Sequence, residues 1–433
     1  MAIKYGDLQG TNGTLYTQGY SQTLYGVAGE DNILYGEAYN MWTGVLGGND
    51  TLYGADRSDT LYGDAYKMVG AIGGRDSLYG GAGVDFLYGD AYKMYDGVGG
   101  GDILFGDAGI DELVGDATYM YGTARGGGDG LYGGSGGDKL FGDAVTMSGD
   151  NIYNNLYGGS DHLYGESGAD FLYGDAYVMS GNSLGGNDTL VGGVDGRSIS
   201  IPMRVTDNDE LFGDAKEING KARGGSDTLY GGADDDKLYG DAHTMNNSVN
   251  DTILDGGADT LEGQFGDDTL FGDALNLSGY SRGGNDQLFG GAGNDKLYGD
   301  AHNIYLNARG GSDTLNGGSG DDILYGDAND ASRAAGRDDV LIGGTGNDQH
   351  WGGGGNDTFV FNVGDGWDSI YDFKVAGEQD KIDLQAFNFA DFDDIDIGVN
   401  PYTGEARIYL PENSWIEVKG LTPAQLSEGD FIL

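Results

Sequence analysis

The chain has no cysteine, so neither disulfides nor thiolate metal sites can hold it together. It has only 4 prolines in 433 residues and no three-residue period, which excludes collagen and Pro-rich disorder. Basic residues are scarce: Lys plus Arg total 22 against 71 Asp plus Glu, a net charge of −49. With no basic patch to release counterions, nucleic acid is not expected as a partner. No apolar run approaches the ~18 residues of a spanning helix, so no membrane span is expected. The segment Met1–Leu8 has no charged head followed by an apolar stretch, so no cleavable secretory signal is visible. His-Glu-x-x-His does not occur, and the four histidines, His162, His243, His302 and His350, are scattered and expected to face solvent.

What the chain has is glycine, 88 residues of it, together with 30 Tyr and 15 Phe in a strict periodicity. Gly-Asp-Ala returns with its aspartate at Asp64, Asp90, Asp116, Asp143, Asp175, Asp214, Asp241, Asp273, Asp300 and Asp327, and Glu37 holds the same place near the start. Most of these steps are 26 or 27 residues, and longer ones imply insertions near 150–155, 194–205 and 246–252. Such a period indicates a solenoid, and 27 is three nines. Residues 80–85, 133–138, 290–295, 317–322, 343–348 and 352–357 each spell Gly-Gly-x-Gly-x-Asp, the start of a nonapeptide associated with calcium in a parallel β-helix.

The chemistry follows from the residue types. Glycines at positions 1 and 4, such as Gly80 and Gly83, Gly290 and Gly293, Gly317 and Gly320, Gly343 and Gly346, and Gly352 and Gly355, let carbonyl oxygens converge. The aspartate at position 6 adds a carboxylate, and an all-oxygen donor set in a flexible loop suits Ca²⁺. Position 8, usually Leu, is expected to point inward, and positions 7 and 9 outward. Two nonapeptides per turn would put stacked loops about 18 residues apart. That spacing occurs between Asp59 and Asp76, Asp85 and Asp102, Asp111 and Asp129, Asp170 and Asp188, Asp209 and Asp227, Asp268 and Asp286, Asp295 and Asp313, and Asp322 and Asp339. Asp138 and Asp161 are 23 apart, matching an insertion, and Asp50, Asp236, Asp348 and Asp357 complete the candidate ligands. The Gly-Asp-Ala element lacks a position-6 aspartate. Its own Asp either caps a neighbouring ion or solvates the turn, and Asp300→Ala is expected to matter less than Asp295→Ala.

On these motifs the chain resembles the RTX (repeats-in-toxin) proteins over roughly residues 20–360. The resemblance implies an all-β, right-handed parallel β-roll or β-solenoid binding several Ca²⁺ ions. After residue 358 glycine thins, and segments 358–361, 369–373, 381–384, 406–410 and 415–418 read as strands, with a turn at 400–404. This block resembles the C-terminal domain of serralysin-type and other RTX proteins. The tail Asp430-Phe431-Ile432-Leu433 is similar to their terminal signal for type I secretion machinery. The implied organisation is an N-terminal start at 1–20, repeats at 21–357 and a capping and secretion domain at 358–433. The protein is then expected outside the cell or on its surface, without an N-terminal signal peptide.

The repeats begin by about residue 20, so no catalytic domain is expected ahead of them. Position 9 is aromatic at Tyr62, Tyr88, Phe141, Tyr173, Phe212, Tyr239, Phe271, Tyr298 and Tyr325. An outward ladder of rings could meet a cell-surface polysaccharide or another copy of the chain, or could merely shield the strands. A structural array and a calcium-dependent adhesin both fit.

Overall fold

Alternation of an inward Leu with flanking Thr, Lys and Tyr makes short strands, and the glycine-rich loops turn the chain after each one. The computed structural model describes residues 1–6, 14–15, 18–149, 155–193, 207–247, 253–331, 336–374 and 377–433. The expected insertions fall almost wholly outside these residues. The described elements are strands and short 3₁₀ turns. They divide into two compact units, residues 1–232 with 241–254, and 233–240 with 255–433.

In the first unit the repeating turn carries three strands, shown by Thr51–Ala55, Thr60–Tyr62 and Ala65–Val69, and a short fourth, Leu156–Tyr157 on Ser183–Leu184, joins two of the turns. Each pairs in parallel with its counterpart one period on. Tyr53 lies opposite Tyr79, Leu61 opposite Leu87 and Met68 opposite Met94. Like residues therefore stack on like. The inward faces supply Leu52, Leu61, Ala65 and Met68 in one turn and Leu78, Leu87, Ala91 and Met94 in the next, all with 0 % exposure. Burying a large apolar side chain contributes ~1.5–3 kcal/mol, so a core of three such side chains per period is thin. The strand Ala2–Tyr5, in the segment 1–20 expected as the start of the stack, pairs in parallel with Asn32–Tyr35.

Three strands per turn correct the expected two. Asp59 and Asp76 sit on different corners of a turn, and the true neighbour of Asp59 is Asp85, 26 residues away. The same holds for the other pairs set 17, 18 or 23 apart. The physical reason is the Gly-Asp-Ala element, which inserts a third strand between two nonapeptides.

The second unit begins in the same way, with Thr260–Phe265, Thr269–Phe271 and Ala274–Gly279 in one turn. After Ala328–Ala331 no further strand joins the third sheet among the described residues. Val340–Thr345 then pairs with Thr358–Val360, and Gln349–Trp351 with Trp367–Ile370. Here the 18-residue step does occur, between Asp339 and Asp357. Beyond residue 358 the expected strands are present, with 369–373 shifted back to Trp367–Ile370, and two were not expected: Phe431–Ile432 and Asp396–Val399, antiparallel to Ala406–Tyr409 across the 400–404 turn. The tail strand Phe431–Ile432 pairs with Lys381–Asp383, and Lys374 makes an ion pair with Asp430.

Candidate metal centre

The turns between strands carry three rows of acids. In the first row, Asp59, Asp85, Asp111, Asp138, Asp170 and Asp209 follow one another. Each Oδ1 from Asp85 onward accepts the backbone N–H of the preceding member at 2.7–2.8 Å. The second row runs Asp50, Asp76, Asp102, Asp129, Asp161, Asp188 and Asp227 with the same ladder at 2.6–2.8 Å. In the second unit Asp236, Asp268, Asp295, Asp322, Asp348 and Asp368 form one ladder at 2.8–3.0 Å. Asp259, Asp286, Asp313, Asp339, Asp357 and Asp380 form another at 2.8–3.1 Å. The stack thus fixes one oxygen of each carboxylate. The other, Oδ2, is buried and without a hydrogen-bond partner at Asp59, Asp76, Asp85, Asp102, Asp111, Asp129, Asp138, Asp161, Asp170 and Asp188, and likewise at Asp268, Asp295, Asp313, Asp322, Asp339 and Asp348.

The third row is the Gly-Asp-Ala series, and it does not solvate the turn. Glu37, Asp64, Asp90, Asp116, Asp143, Asp175, Asp214, Asp273 and Asp300 are all at 0 % exposure. Asp64 accepts the N–H of Gly74 at 2.9 Å, Asp143 that of Gly159 at 2.8 Å and Asp175 that of Gly186 at 2.9 Å. This places the third row beside the second. Asp64 repels Asp76, and Asp90 repels Asp102. A buried oxygen again lacks a partner at Asp64, Asp143, Asp175, Asp214, Asp300 and Asp327.

Glycine makes this closeness possible. A Cβ on Gly63 would collide with the carbonyl oxygen of Gly89 and Oδ2 of Asp76, and one on Gly89 with the carbonyl of Gly115 and Oδ2 of Asp102. The position-1 glycines Gly80, Gly290, Gly317, Gly343 and Gly352 pack against Oδ2 of their own loop's aspartate. The position-4 glycines Gly83, Gly293, Gly320, Gly346 and Gly355 take positive φ, between 130° and 155°.

Burial first, then mutual repulsion, raises these acids. Asp76, Asp90, Asp102, Asp129, Asp143, Asp161, Asp188, Asp214 and Asp227 stand well above the usual carboxylate range. In the first row desolvation lifts Asp85 to about 6, and Asp111 and Asp170 to about 7. Buried carboxylates without counter-charge are costly, and no lysine or arginine is paired with these rows among the described ion pairs. Carboxylate and carbonyl oxygens crowd these turns, the donor set of a hard cation that tolerates irregular geometry; an imidazole, that of His350, stands beside Asp348 and Asp368 alone among the described residues. The rows fit Ca²⁺. The structure brings the aspartates that the sequence singles out into the first two rows, and it buries the third row, which the sequence alone leaves open as a solvated turn.

Two other expectations change. The rings at Tyr62, Tyr88, Phe141, Tyr173, Phe212, Tyr239, Phe271 and Tyr298 are buried, at 0–7 % exposure, and Tyr325 is half-buried. The tight Gly-Asp corner brings the next strand's ring across them, as Tyr66 lies edge-on to Tyr62 at 6.1 Å. The more exposed ladder is Tyr25, Tyr53, Tyr79, Phe105, Tyr132 and Tyr164, stacked at 4.8–5.0 Å. His350 does not face solvent but is fully buried, because it occupies an inward position 8. Gly133-Gly134-Ser135-Gly136-Gly137 spells the short Gly-x-Ser-x-Gly signature, yet it is a nonapeptide turn with Ser135 exposed.

The family model for the RTX calcium-binding nonapeptide repeat (4 copies) matches residues 46–65, 73–91, 157–176, 221–243, 250–276, 280–303, 305–331 and 333–368. Comparison with the curated proteins returns no match.

Proposed function

Because the chain carries RTX calcium-binding nonapeptide repeats, we propose that it is an exported protein whose repeats close only when calcium neutralises their buried acids, and that the folded array is its product: a structural component of a cell surface or matrix. The observation behind this reading is that two buried acidic rows run side by side, Asp64 repelling Asp76 and Asp90 repelling Asp102, at the turns around a thin apolar core. In a low-calcium cytosol these rows would hold the chain open, ready for export. Binding to the folded state alone then supplies folding free energy. Asp50, Asp59, Asp76, Asp85 and their equivalents, with the Gly-Asp-Ala acids, would hold the ions. Calcium there supplies positive charge to oxygens the protein leaves unbonded. The C-terminal block 358–433 would carry the secretion signal and end the stack.

Circular dichroism with chelator, then with millimolar calcium, tests the first claim: coil should convert to β structure, and a native-like spectrum in chelator overturns it. Electron microscopy of the calcium-loaded protein tests the second, with filaments or sheets expected and only monodisperse particles opposing an array. A second reading, a calcium-dependent adhesin for polysaccharide, is favoured by the ladder through Tyr25, 61 % exposed, and Tyr53, 36 % exposed. Binding to immobilised polysaccharide that persists in monodisperse protein would select it.

A further inference from the structure

In the second unit the inward position of the strands Lys296–Tyr298, Ile323–Tyr325, Gln349–Trp351 and Trp367–Ile370 is held in successive turns by Leu297, Leu324, His350 and Ile370. Leucine and isoleucine there need no partner. His350 does, and has none: it is fully buried, and neither Nδ1 nor Nε2 makes a hydrogen bond. Its ring packs roughly perpendicular to those of Phe359 and Phe361, with centroids at 6.1 and 5.5 Å. Two carboxylates converge on the same place. A ligand atom each from Asp348, His350 and Asp368 lies within 4.8 Å of the other two, and all three residues are buried. Oδ1 of Asp348 accepts from Asp322 N, and Oδ1 of Asp368 from Asp348 N, so the ladder holds both side chains in place. Oδ2 of Asp348 remains unbonded.

We propose that Asp348, His350 and Asp368 form a separate site for a borderline divalent transition metal such as Zn²⁺, distinct in chemistry from the all-oxygen loops. The argument is one of donors. The loops elsewhere offer only oxygen, which suits calcium, whereas an imidazole adds a nitrogen that calcium does not seek and zinc-class ions do. A buried, unbonded imidazole between two carboxylates is also a group that folding leaves without its water partners. A coordinated cation would satisfy Nδ1 or Nε2 and both acids together. The site lies in the two-strand turns, next to Phe359 and Phe361 of the segment that begins the C-terminal block.

The full chain, folded in saturating calcium and checked by circular dichroism, would be titrated with Zn²⁺ against a chromophoric chelator. One tight equivalent per chain that excess calcium does not displace is expected. His350→Leu, which installs the usual residue of the row, should keep the calcium-induced spectrum and lose that equivalent by at least tenfold. His302→Gln, at a half-buried histidine outside the cluster, should retain it. Co²⁺ in place of zinc should give visible absorption bands that vanish in His350→Leu. Absence of tight zinc binding by the folded protein, or its survival in His350→Leu, overturns the proposal. Failure of the protein to fold in calcium at all would instead count against the calcium reading.

Discussion

The Asp85 row and the Asp90 row run through the same turns, five residues apart in sequence, yet they live in different surroundings. Asp85 stands on a corner whose closest acids are its own row-mates and Asp107, and burial raises it only to about 6. Asp90 is no more exposed than Asp85, but besides its burial it feels repulsion from Asp102, Asp116 and Asp64 and is raised well above the carboxylate range. The complete nonapeptide signature belongs to the first, and the heavier electrostatic burden to the second. Motif completeness and energetic weight are therefore separable. A carboxylate matters to a metal-driven fold in proportion to how much repulsion the cation must cancel and how little water can help.

Substitution should separate the rows most clearly. Asp90→Ala removes an acid that two rows share, and the calcium-loaded form should lose about 3 kcal/mol, in the range for breaking a buried charged network. Asp85→Ala should cost about 1 kcal/mol, near the value of one hydrogen bond. Calcium titrations followed by Tyr fluorescence read both, and equal shifts in midpoint would abolish the distinction. The sequence-based expectation that Asp300 matters less than Asp295 loses its ground: both are fully buried with Oδ2 unbonded, so Asp300→Ala should be at least as damaging as Asp295→Ala.

Glycines sharpen the comparison at the backbone. Gly89→Ala would drive a methyl group into the Gly115 carbonyl and Oδ2 of Asp102, and about 2 kcal/mol should be lost, as for overpacking of a core. Gly130→Ala meets nothing closer than the Tyr132 ring at 3.7 Å and should be neutral within about 0.5 kcal/mol. Thermal unfolding in saturating calcium would show it, and similar losses at the two positions would mean that the close approach is not what requires glycine.

The sequence made the nonapeptides, their calcium chemistry and the inward leucines legible, because each is a local pattern with one physical reading. The stacking distance was not legible in that way, since multiples of nine allow both 18 and 27. Only the stack decides, and it decides by placing like on like: Leu61 on Leu87, Met68 on Met94, Asp64 beside Asp90. A trace of this was present in the insertions. Asp129 to Asp161 and Asp138 to Asp170 are both 32, so one inserted segment lengthens two rows equally, as a single long turn must. His350 was misjudged for a related reason. Its place at position 8 of 343–351 marked it as inward beside Asp348 of the same nonapeptide, but nothing local signals Asp368, which the stack brings to both from the next turn.

Acidity should act on both rows in the same direction. In chelator the folded carboxylates have pKa values raised above the unfolded ~3.9, so whatever stability they permit is fully present below pH ~4. That stability is lost as pH rises through about 6 to 7 for Asp85, Asp111 and Asp170. Residual β structure in chelator should therefore be greatest in acid and decline towards neutrality. With calcium present, protons compete for the same oxygens, so the half-saturating concentration should rise as pH falls from 8 to 5. Circular dichroism across that range tests both, and β structure that grows with pH in chelator would refute the assignment of these acids.

The smallest effect should come from the ring ladder on the more exposed face, because its stability and any binding role can be read apart. Tyr79 stacks between Tyr53 at 4.8 Å and Phe105 at 4.9 Å, and it is half-buried, unlike the enclosed Tyr88 one strand away. Its replacement by alanine leaves no sealed cavity and loses two stacking contacts, about 1 kcal/mol in all. The calcium midpoint should barely move, since no acid of either row touches that ring among the described contacts. If the ladder only shields strands, Tyr79→Ala will behave as a mild stability variant and nothing else. If it meets polysaccharide, binding should drop severalfold in a protein that still folds at the same calcium concentration. Unchanged binding by a chain that also lacks Tyr53 and Phe105 would remove the adhesin reading and leave the array.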